Sequence, residues 1–241
     1  MKVLRYFFLC LAAALAGTAY AKEASGCEKE SGAMQEDAFY VTEIPDELFE
    51  KMKGKSYKEN CIVPREDLRY LHILHKDLKG ETHEGELVCT AYIARDVLDI
   101  FRGLYEAGYP IEKVRLIDEY DADDELSMRD NNSSSFNFRF ISRTTKVSKH
   151  GLGLAVDINT LYNPFIWHMG GKLVLEPATA GAYMDRSKEF PYKIEEGDLC
   201  CRLFAEHGFL WGGNCWKNTK DYQHFELPDE TVAKLYPDMG W

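Results

Sequence analysis

The sequence predicts an α+β fold with an antiparallel sheet. Segments with strand patterning and segments with helical patterning do not alternate regularly along the 241 residues, as they would in a doubly wound parallel sheet. The chain is 45% hydrophobic and 13% aromatic, which is enough to bury a sizeable core and argues against intrinsic disorder. Its length is typical of one domain.

A hairpin and a long helix are the best-defined predicted elements. Leu68–His75 and His83–Cys89 flank a Lys79-Gly80 turn, and this pattern predicts a β-hairpin. From Ala91 to Ala107 apolar residues recur at helical spacing, and Gly108 is expected to end the helix. The apolar face of this helix comprises Ala94, Val97, Leu98, Phe101, Leu104 and Tyr105.

Shorter elements are predicted further along the chain. Val114–Ile117 has the pattern of a short apolar strand, which runs into an acidic, Asn/Ser-rich loop over Asp118–Ser135. Phe136–Ile141 alternates apolar and polar residues as a strand does. The remaining predicted elements are the strands Leu154–Ile158 and His224–Leu227 and the helix Leu199–His207.

The N-terminal residues predict export. Lys2 and Arg5 form a basic start, an apolar stretch runs from Phe7 to Gly17, and Ala19-Tyr20-Ala21 is a cleavage site of the A-x-A type. We expect residues 1–21 to be a signal peptide, because the apolar stretch is shorter than the roughly 20 residues that span a bilayer. Export would place the protein in the periplasm or outside the cell.

The residues after the predicted cleavage site divide into two parts. Residues 22–60 are charged and poorly patterned, and are expected to form a variable N-terminal segment packed on a domain of residues 61–241. An alternative for the N-terminus is a lipoprotein, since Ala24-Ser25-Gly26 precedes Cys27. No second apolar run is long enough to anchor the chain, so no stable membrane span is expected. The protein is expected to be a monomer.

The charge balance argues against two classes of partner. Twenty-nine Lys plus Arg against 40 Asp plus Glu give a net charge of -11. A nucleic-acid-binding protein needs a basic stripe to release counterions from phosphates. Electrostatic docking to anionic lipid has the same requirement. Neither nucleic acid nor an anionic membrane surface is therefore predicted as a partner.

The cysteines leave two interpretations open. Of the seven, Cys10 lies inside the predicted signal peptide, and the other six could form up to three disulfides in an exported chain. Cys200 and Cys201 are adjacent and are not expected to pair with each other. No Cys-x-x-Cys occurs, which argues against a zinc ribbon. The cysteines are expected to be structural, either in disulfides or as buried thiols.

Two histidines and an aspartate form a candidate metal set. His150 and Asp157 lie seven residues apart, and on an uninterrupted strand this odd spacing would point them to opposite faces. The chain must therefore bend at Gly151 or Gly153 for both to reach one point. With His224, they would give the three protein ligands and one open position of a catalytic zinc site. Bound zinc lowers the pKa of water to around 7, and a nearby carboxylate could take the proton.

The same residues carry a resemblance to a known family. Ser148 to Asp157 fits Ser-x-His-x-x-Gly-x-Ala-x-Asp at every fixed position. This pattern resembles the zinc D-alanyl-D-alanine carboxypeptidases and dipeptidases, including the VanY-like enzymes and the related L-alanyl-D-glutamate endopeptidases. The resemblance extends from about Leu68 to Phe225. Its other motifs are Asp130-Asn131-Asn132, Phe136-Asn137-Phe138-Arg139, Trp211-Gly212-Gly213, Trp216 and Asp221-x-x-His224-Phe225.

The resemblance implies a fold, a cofactor and a base. The fold is of the hedgehog/D-Ala-D-Ala-peptidase type, a small antiparallel sheet with flanking helices and zinc in a cleft. His150, Asp157 and His224 would be the zinc ligands. Asp221 would be the general base that takes a proton from the attacking water, at a position held by glutamate in the dipeptidase branch.

The resemblance also implies an arginine that polarises the scissile carbonyl or holds the developing oxyanion. Arg139 matches this position, and an always-charged guanidinium is suited to the task. Arg143 and Arg129 compete for it, because the segment between the arginine and the histidine is compressed in this sequence. Ser148 is expected to position the ligand loop, since no base lies at a defined spacing from it.

The implied activity is hydrolysis of an amide bond in peptidoglycan stem peptides. D-alanyl-D-alanine carboxypeptidase action is the first interpretation, and cleavage between L-Ala and D-Glu is the alternative that the Asp-x-x-His block favours. A catalytically silent zinc-bearing binding module is a third hypothesis, although both ligand blocks and the candidate base are intact. The motifs indicate the metal and the chemistry more closely than the scissile bond.

Other polar residues are expected to have structural roles. His72 and His75 lie three apart on a predicted strand and are expected at the surface. Glu226 shares a strand face with His224 and is either a partner of that ligand or a rival base. The acidic run Asp121–Glu125 lacks the spacing of a calcium loop and is expected to be solvated. The histidines without a partner motif are His83, His168 and His207.

Overall fold

The chain is described in a computed structural model over residues 38–142, 144–215 and 219–239. The predicted signal peptide, Cys27, Arg143 and Trp216 lie outside these residues. Export therefore remains a prediction.

The predicted hairpin is present and forms the largest sheet of the described chain. Strands β2 (Leu68–Lys76) and β3 (Thr82–Thr90) pair antiparallel along their full length. A short strand, β1 (Tyr40–Glu43), pairs antiparallel with β2 on its other edge. Gly80 takes a φ of +78° in the connecting turn, a conformation that favours glycine.

Residues 38–52 pack into the same core as the hairpin. After β1, helix α1 (Asp46–Met52) ends on a side chain that is fully buried. Phe39 and Ile44 are also buried, so the described part of the segment predicted to be variable contributes apolar side chains to the main core. The predicted domain boundary at residue 61 stays a prediction.

The long predicted helix is confirmed. Helix α2 (Ala91–Glu106) buries every residue of the predicted apolar face, and its amphipathic pattern accounts for its packing on the hairpin. Gly108 takes a φ of +68° just beyond the helix, as expected of a residue that ends one.

The acidic segment Asp118–Ser135 contains helices, so the prediction of a loop there is wrong. Ile117–Tyr120 forms a 3-10 helix, and α3 spans Asp124–Arg129. The Asp123 side chain caps α3 by accepting a hydrogen bond from the Leu126 N–H at 3.0 Å. Acidic residues stabilise a helix N-terminus, so the acidic composition favours helix here.

Two predicted strands are shorter or absent. Of Val114–Ile117 only the first residue belongs to a strand, the two-residue β4 (Lys113–Val114), which pairs parallel with β5 (Asn132–Ser133). Phe136–Ile141 forms no strand, because its backbone pairs with several different segments. The Phe136, Asn137 and Phe138 N–H groups donate to the carbonyls of Val88, His150 and Ser56, respectively.

The second half of the chain forms two small antiparallel sheets. One has the order β6 (Ala155–Asp157), β11 (His224–Glu226) and β9 (Leu210–Trp211). The other has the order β10 (Thr219–Asp221), β7 (Phe165–Met169) and β8 (Lys172–Glu176). The helices of this half are α4 (Leu199–Glu206), α5 (Gly212–Cys215) and α6 (Asp229–Leu235). The α+β class is therefore confirmed.

The strand that carries His224 is anchored in the core. Phe225 on β11 is fully buried, and its ring stacks on Phe204 of α4 with 4.0 Å between ring centroids. Burying one such side chain contributes about 1.5–3 kcal/mol to folding. Because neighbouring residues on a strand point to opposite faces, burial of Phe225 directs His224 away from this core.

The structure decides one open question about the cysteines and corrects one expectation about a histidine. Cys61, Cys89, Cys200, Cys201 and Cys215 are free thiols, so no disulfide forms among the described cysteines. His75 is only 4% exposed, and its Nδ1 lies 2.8 Å from the Ile111 carbonyl oxygen; it is not a surface residue. No described helix combines the length and apolar character required to cross a membrane.

Candidate metal centre

The three candidate ligands converge at one point. His150 Nε2 lies 3.0 Å from His224 Nδ1, and the Asp157 carboxylate lies 2.9 Å from His224 Nδ1 and 3.2 Å from His150 Nε2. One ligand atom from each residue lies within 4.8 Å of the other two. These are a carboxylate oxygen and two imidazole nitrogens, the donor types that zinc takes in catalytic sites.

Strand pairing brings Asp157 and His224 together. The two residues are direct partners in the antiparallel pair β6–β11. Side chains at such positions start only about 4.5–5.5 Å apart at Cβ. His224 and Asp157 are far apart in sequence and therefore meet because of the register of two short strands.

His150 reaches this point through a bend, as its spacing from Asp157 requires. Gly153 takes a φ of +65°, and a Cβ there would lie 2.9 Å from the Thr90 backbone nitrogen. The Thr90 N–H donates to the Gly153 carbonyl at 3.0 Å, which ties the bend to the end of β3. The bend therefore needs glycine both for its conformation and for its close approach to the hairpin.

Ser148 stabilises the turn that carries His150. Its hydroxyl oxygen accepts a hydrogen bond from the Gly151 N–H at 3.0 Å. His150 Nδ1 lies 2.7 Å from the Ser135 carbonyl oxygen, which can only accept, so Nδ1 carries the proton. Nε2 of His150 is thereby left as the nitrogen that faces His224 and Asp157.

A buried ion-pair chain orients the other histidine. His224 Nε2 donates to Glu226 Oε2 at 2.9 Å, which directs Nδ1 toward His150 and Asp157. Lys149 Nζ lies 3.0 Å from Glu226 Oε1 and 2.5 Å from Asp229 Oδ1. Both Glu226 oxygens are thus engaged, which favours its interpretation as a partner of His224 over that of a rival base.

The electrostatics of the centre favour a bound cation. Burial lowers the pKa of His224, but hydrogen bonds to Asp157 and Glu226 outweigh it and raise the pKa to about 10. Burial raises the pKa of Asp157, while the two histidines beside it hold that pKa well below its usual range. A proton or a metal ion at His224 Nδ1 would be stabilised by the same carboxylate.

Asp221 lies in the same cleft with one carboxylate oxygen unpaired. This atom, Oδ1, is buried and has no hydrogen-bond partner among the described residues. Burial raises the pKa of Asp221 to about 7, with Asp157 and Glu226 adding to the increase and His224 opposing it. Gly212 packs behind it, where a Cβ would lie 2.6 Å from the Asp221 carbonyl oxygen.

Of the three candidate arginines, Arg139 lines the cleft. Its Nε lies 2.9 Å from Asp124 Oδ2 on α3, a carboxylate that sequence analysis assigned to a solvated loop. Arg129 instead pairs with Glu125 at 2.8 Å on α3 and is not part of the cleft lining. Arg143 lies outside the described residues.

The cleft has a volume of about 820 Å³ and apolar walls that sequence analysis missed. The β7–β8 hairpin contributes Phe165, Trp167 and Val174 to the lining, and the segment before His150 contributes Phe140 and Ile141. Phe140 and Ile141 are 43% and 41% exposed. Such apolar exposure beside a polar centre is typical of a ligand cleft.

The unassigned histidines lie apart from this centre. His207 Nδ1 is 2.9 Å from Asp96 Oδ1. Asp77, Glu81 and His83 form a second group of metal-type donors at the hairpin turn. There Asp77 Oδ1 already accepts the N–H groups of Lys79 and Glu81, as is common in turns.

Comparison with known proteins gives a match to a protein family. The family model described as D-alanyl-D-alanine carboxypeptidase matches residues 142–227. The match supports the zinc peptidase family. No curated protein and no solved structure matches the chain.

The matched segment contains the whole candidate centre. His150, Asp157, Asp221 and His224 all fall within it, and so does the β7–β8 hairpin. The match therefore also supports a hydrolase. Arg139 lies just before the matched residues, so its assignment rests on its place in the cleft and on the sequence motif.

Proposed function

We propose that this protein is an exported zinc metallopeptidase that hydrolyses an amide bond in peptidoglycan stem peptides. The observation that carries the proposal is the meeting of His150, Asp157 and His224 in one cleft with the unpaired carboxylate oxygen of Asp221. A structural ion-pair cluster would not need a buried carboxylate oxygen without a partner. The family match to residues 142–227 supports the same chemistry.

The donor set fits zinc. His150 would contribute Nε2, His224 would contribute Nδ1 and Asp157 a carboxylate oxygen, while the other nitrogen of each histidine is engaged by Ser135 or Glu226. Such partners fix the tautomer and orientation of metal-binding histidines. When bound, zinc lowers the pKa of water to around 7 and polarises a carbonyl group.

Asp221 would move the proton. Its carboxylate would accept a proton at Oδ1 from the attacking water and pass it to the nitrogen of the leaving amine. A pKa raised to about 7 suits both tasks near neutral pH. Because Oδ1 has no partner among the described residues, it is free to take part in this transfer.

Arg139 would hold the carbonyl oxygen. As water attacks, negative charge develops on that oxygen, and a fixed guanidinium stabilises this charge more than it stabilises the neutral carbonyl. Asp124 accepts the Arg139 Nε–H at 2.9 Å and holds the side chain at the cleft.

The substrate is proposed more specifically from the motifs and the family match. Cleavage of the terminal D-Ala-D-Ala bond by a VanY-like enzyme of the hedgehog/D-Ala-D-Ala-peptidase fold type is the first candidate. Endopeptidase action between L-Ala and D-Glu is the second, which the spacing of Asp221 and His224 favours. The proposed signal peptide, residues 1–21, would deliver the enzyme to the periplasm or beyond, where peptidoglycan lies.

Mass spectrometry of a soluble stem pentapeptide tests this function. The mature protein, from Lys22 onward, is incubated with the peptide in the presence of zinc or of a chelator. Zinc-dependent loss of one C-terminal alanine would establish the carboxypeptidase, and release of the N-terminal L-alanine would establish the endopeptidase. Intact sacculi serve as the second substrate. A zinc-loaded protein that cleaves neither substrate would support the silent binding module.

A further inference from the structure

Gln223 is a buried polar residue of the cleft that the proposed chemistry has not used. It lies between Asp221 and His224 in sequence, is only 2% exposed, and belongs to the cleft lining. Its backbone carbonyl accepts the Ile158 N–H at 3.0 Å, which fixes the chain beside β6. The backbone that leads into His224 is therefore fixed at Gln223 as well.

The two ends of the Gln223 amide have different surroundings. A hydrogen-bonding interaction with the Gln223 side chain lowers the pKa of Asp221, against the effect of burial. A carboxylate can only accept, so the amide end that faces Asp221 is Nε2. The other end, Oε1, is buried and has no hydrogen-bond partner among the described residues. Asp221 Oδ1 is likewise buried without a hydrogen-bond partner among the described residues.

Two unpaired acceptors in one cleft indicate what a bound molecule must supply. Leaving a buried acceptor without a donor costs free energy, so native proteins rarely do so without a functional reason. Both acceptors require N–H or O–H donors. An amide substrate offers one such donor at its scissile bond, and the attacking water offers another.

We propose that Gln223 binds the scissile amide, with Oε1 accepting its N–H while Nε2 holds Asp221. The inference rests on the proposed peptidase function and adds a substrate-contacting residue to it. Holding the N–H on Gln223 turns the developing lone pair of the nitrogen toward Asp221. As the carbon–nitrogen bond breaks and the carbon–oxygen bond of the attacking water forms, Asp221 transfers the water proton to that lone pair. Gln223 is unchanged at the end.

A cycle of two enzymes and two substrates tests the contact. The enzymes are the wild type and Gln223→Met, which keeps the length of the side chain and removes both polar groups. The substrates are a stem peptide with the amide bond that the enzyme cleaves and a matched depsipeptide with an ester oxygen in place of the scissile N–H. The loss of Nε2 affects both substrates alike. The difference between the two substrates therefore isolates the contact between Oε1 and the scissile N–H.

We expect Gln223→Met to lower kcat/KM for the amide about tenfold more than for the ester, the size of one hydrogen bond. The zinc dissociation constant, measured by chelator competition, should change less than about twofold, because no candidate ligand loses its partner. An equal loss on both substrates would overturn the inference. A wild type that cleaves neither substrate would overturn the proposed function as well.

Gln223→Glu is the second variant and covers the case that the methionine variant does not fold. A glutamic acid side chain keeps the length of Gln223 and an acceptor oxygen in the place of Oε1. We expect this variant to retain the wild-type ratio of amide to ester kcat/KM within about twofold, even if kcat falls. A tenfold lower ratio in this variant would contradict the role of the acceptor oxygen.

Discussion

At the scale of single residues, a proton and a metal ion compete for the same atom, His224 Nδ1. In the metal-free protein the carboxylates of Asp157 and Glu226 raise the pKa of His224 to about 10. Near neutral pH the imidazole is therefore protonated, and Nδ1 is not available as a lone pair. Zinc binding must release that proton.

Zinc affinity should accordingly depend on pH. As pH falls from 8 to 6, the apparent dissociation constant of zinc should rise roughly tenfold per pH unit, because one proton must leave His224 for each ion bound. Competition with a chelator of known affinity at each pH measures this, after correction for protonation of the chelator itself. A dissociation constant that is independent of pH would argue against His224 as a ligand.

The ion-pair chain behind His224 should control metal affinity without touching the metal. Glu226→Gln keeps an acceptor for Nε2–H but removes the charge between His224 and Lys149. We expect zinc to bind about tenfold more weakly, the lower end of the effect of such partners. Glu230→Gln, on the exposed side of α6, is the matched control and should bind zinc as the wild type does.

At the scale of elements, sequence periodicity predicted a helix or strand correctly where the tertiary contacts of the segment match that periodicity. The hairpin and α2 have long periodic sequences, and the structure confirms both. Phe136–Ile141 alternates as convincingly, yet its N–H groups bond to three separate segments. No periodicity in the sequence contains that information, because the partners are distant in the chain.

The existence of a bend between His150 and Asp157 was predictable, since on a continuous strand their odd spacing of seven would point the two side chains to opposite faces. Its position was not, because Gly151 also fitted the argument. The structure assigns the left-handed conformation to Gly153, with a φ of +65°, through its contact with Thr90. Gly151 is needed for a different reason, as a Cβ there would lie 2.9 Å from the Arg139 carbonyl oxygen.

Gly153→Ala should therefore disturb both stability and the metal centre. The left-handed conformation costs an alanine about 1–2 kcal/mol, and the approach to Thr90 adds to that. We expect urea unfolding to report a loss of at least this size, together with weaker zinc binding. Gly80→Ala has a similar φ of +78° and no atom within 4 Å of its Cβ, so it should lose stability alone. Equal zinc binding in Gly153→Ala and Gly80→Ala would contradict the role of the Gly153 bend in bringing His150 to the metal centre.

At the scale of the whole molecule, the site was more predictable than the cleft around it. Residue types and spacing suggested His150, Asp157 and His224 as ligands, and the family resemblance implied Asp221 as the base. The structure brings all four to one cleft. The apolar walls and Gln223 carry no such signature, since they line the cleft only because segments distant in the sequence pack around it. The choice between disulfides and thiols was open for the same reason: pairing depends on distances that the sequence does not contain, and the described cysteines are free thiols.

The most direct test of the account measures zinc content and turnover together in the wild type and in Asp221→Asn. We predict about one zinc ion per chain in both proteins, and at least a 100-fold loss of turnover in the variant, the usual size of a general-base effect. This result would separate a metal centre from the proton transfer that acts beside it. Full turnover in Asp221→Asn, or turnover by a wild type stripped of zinc, would contradict the account.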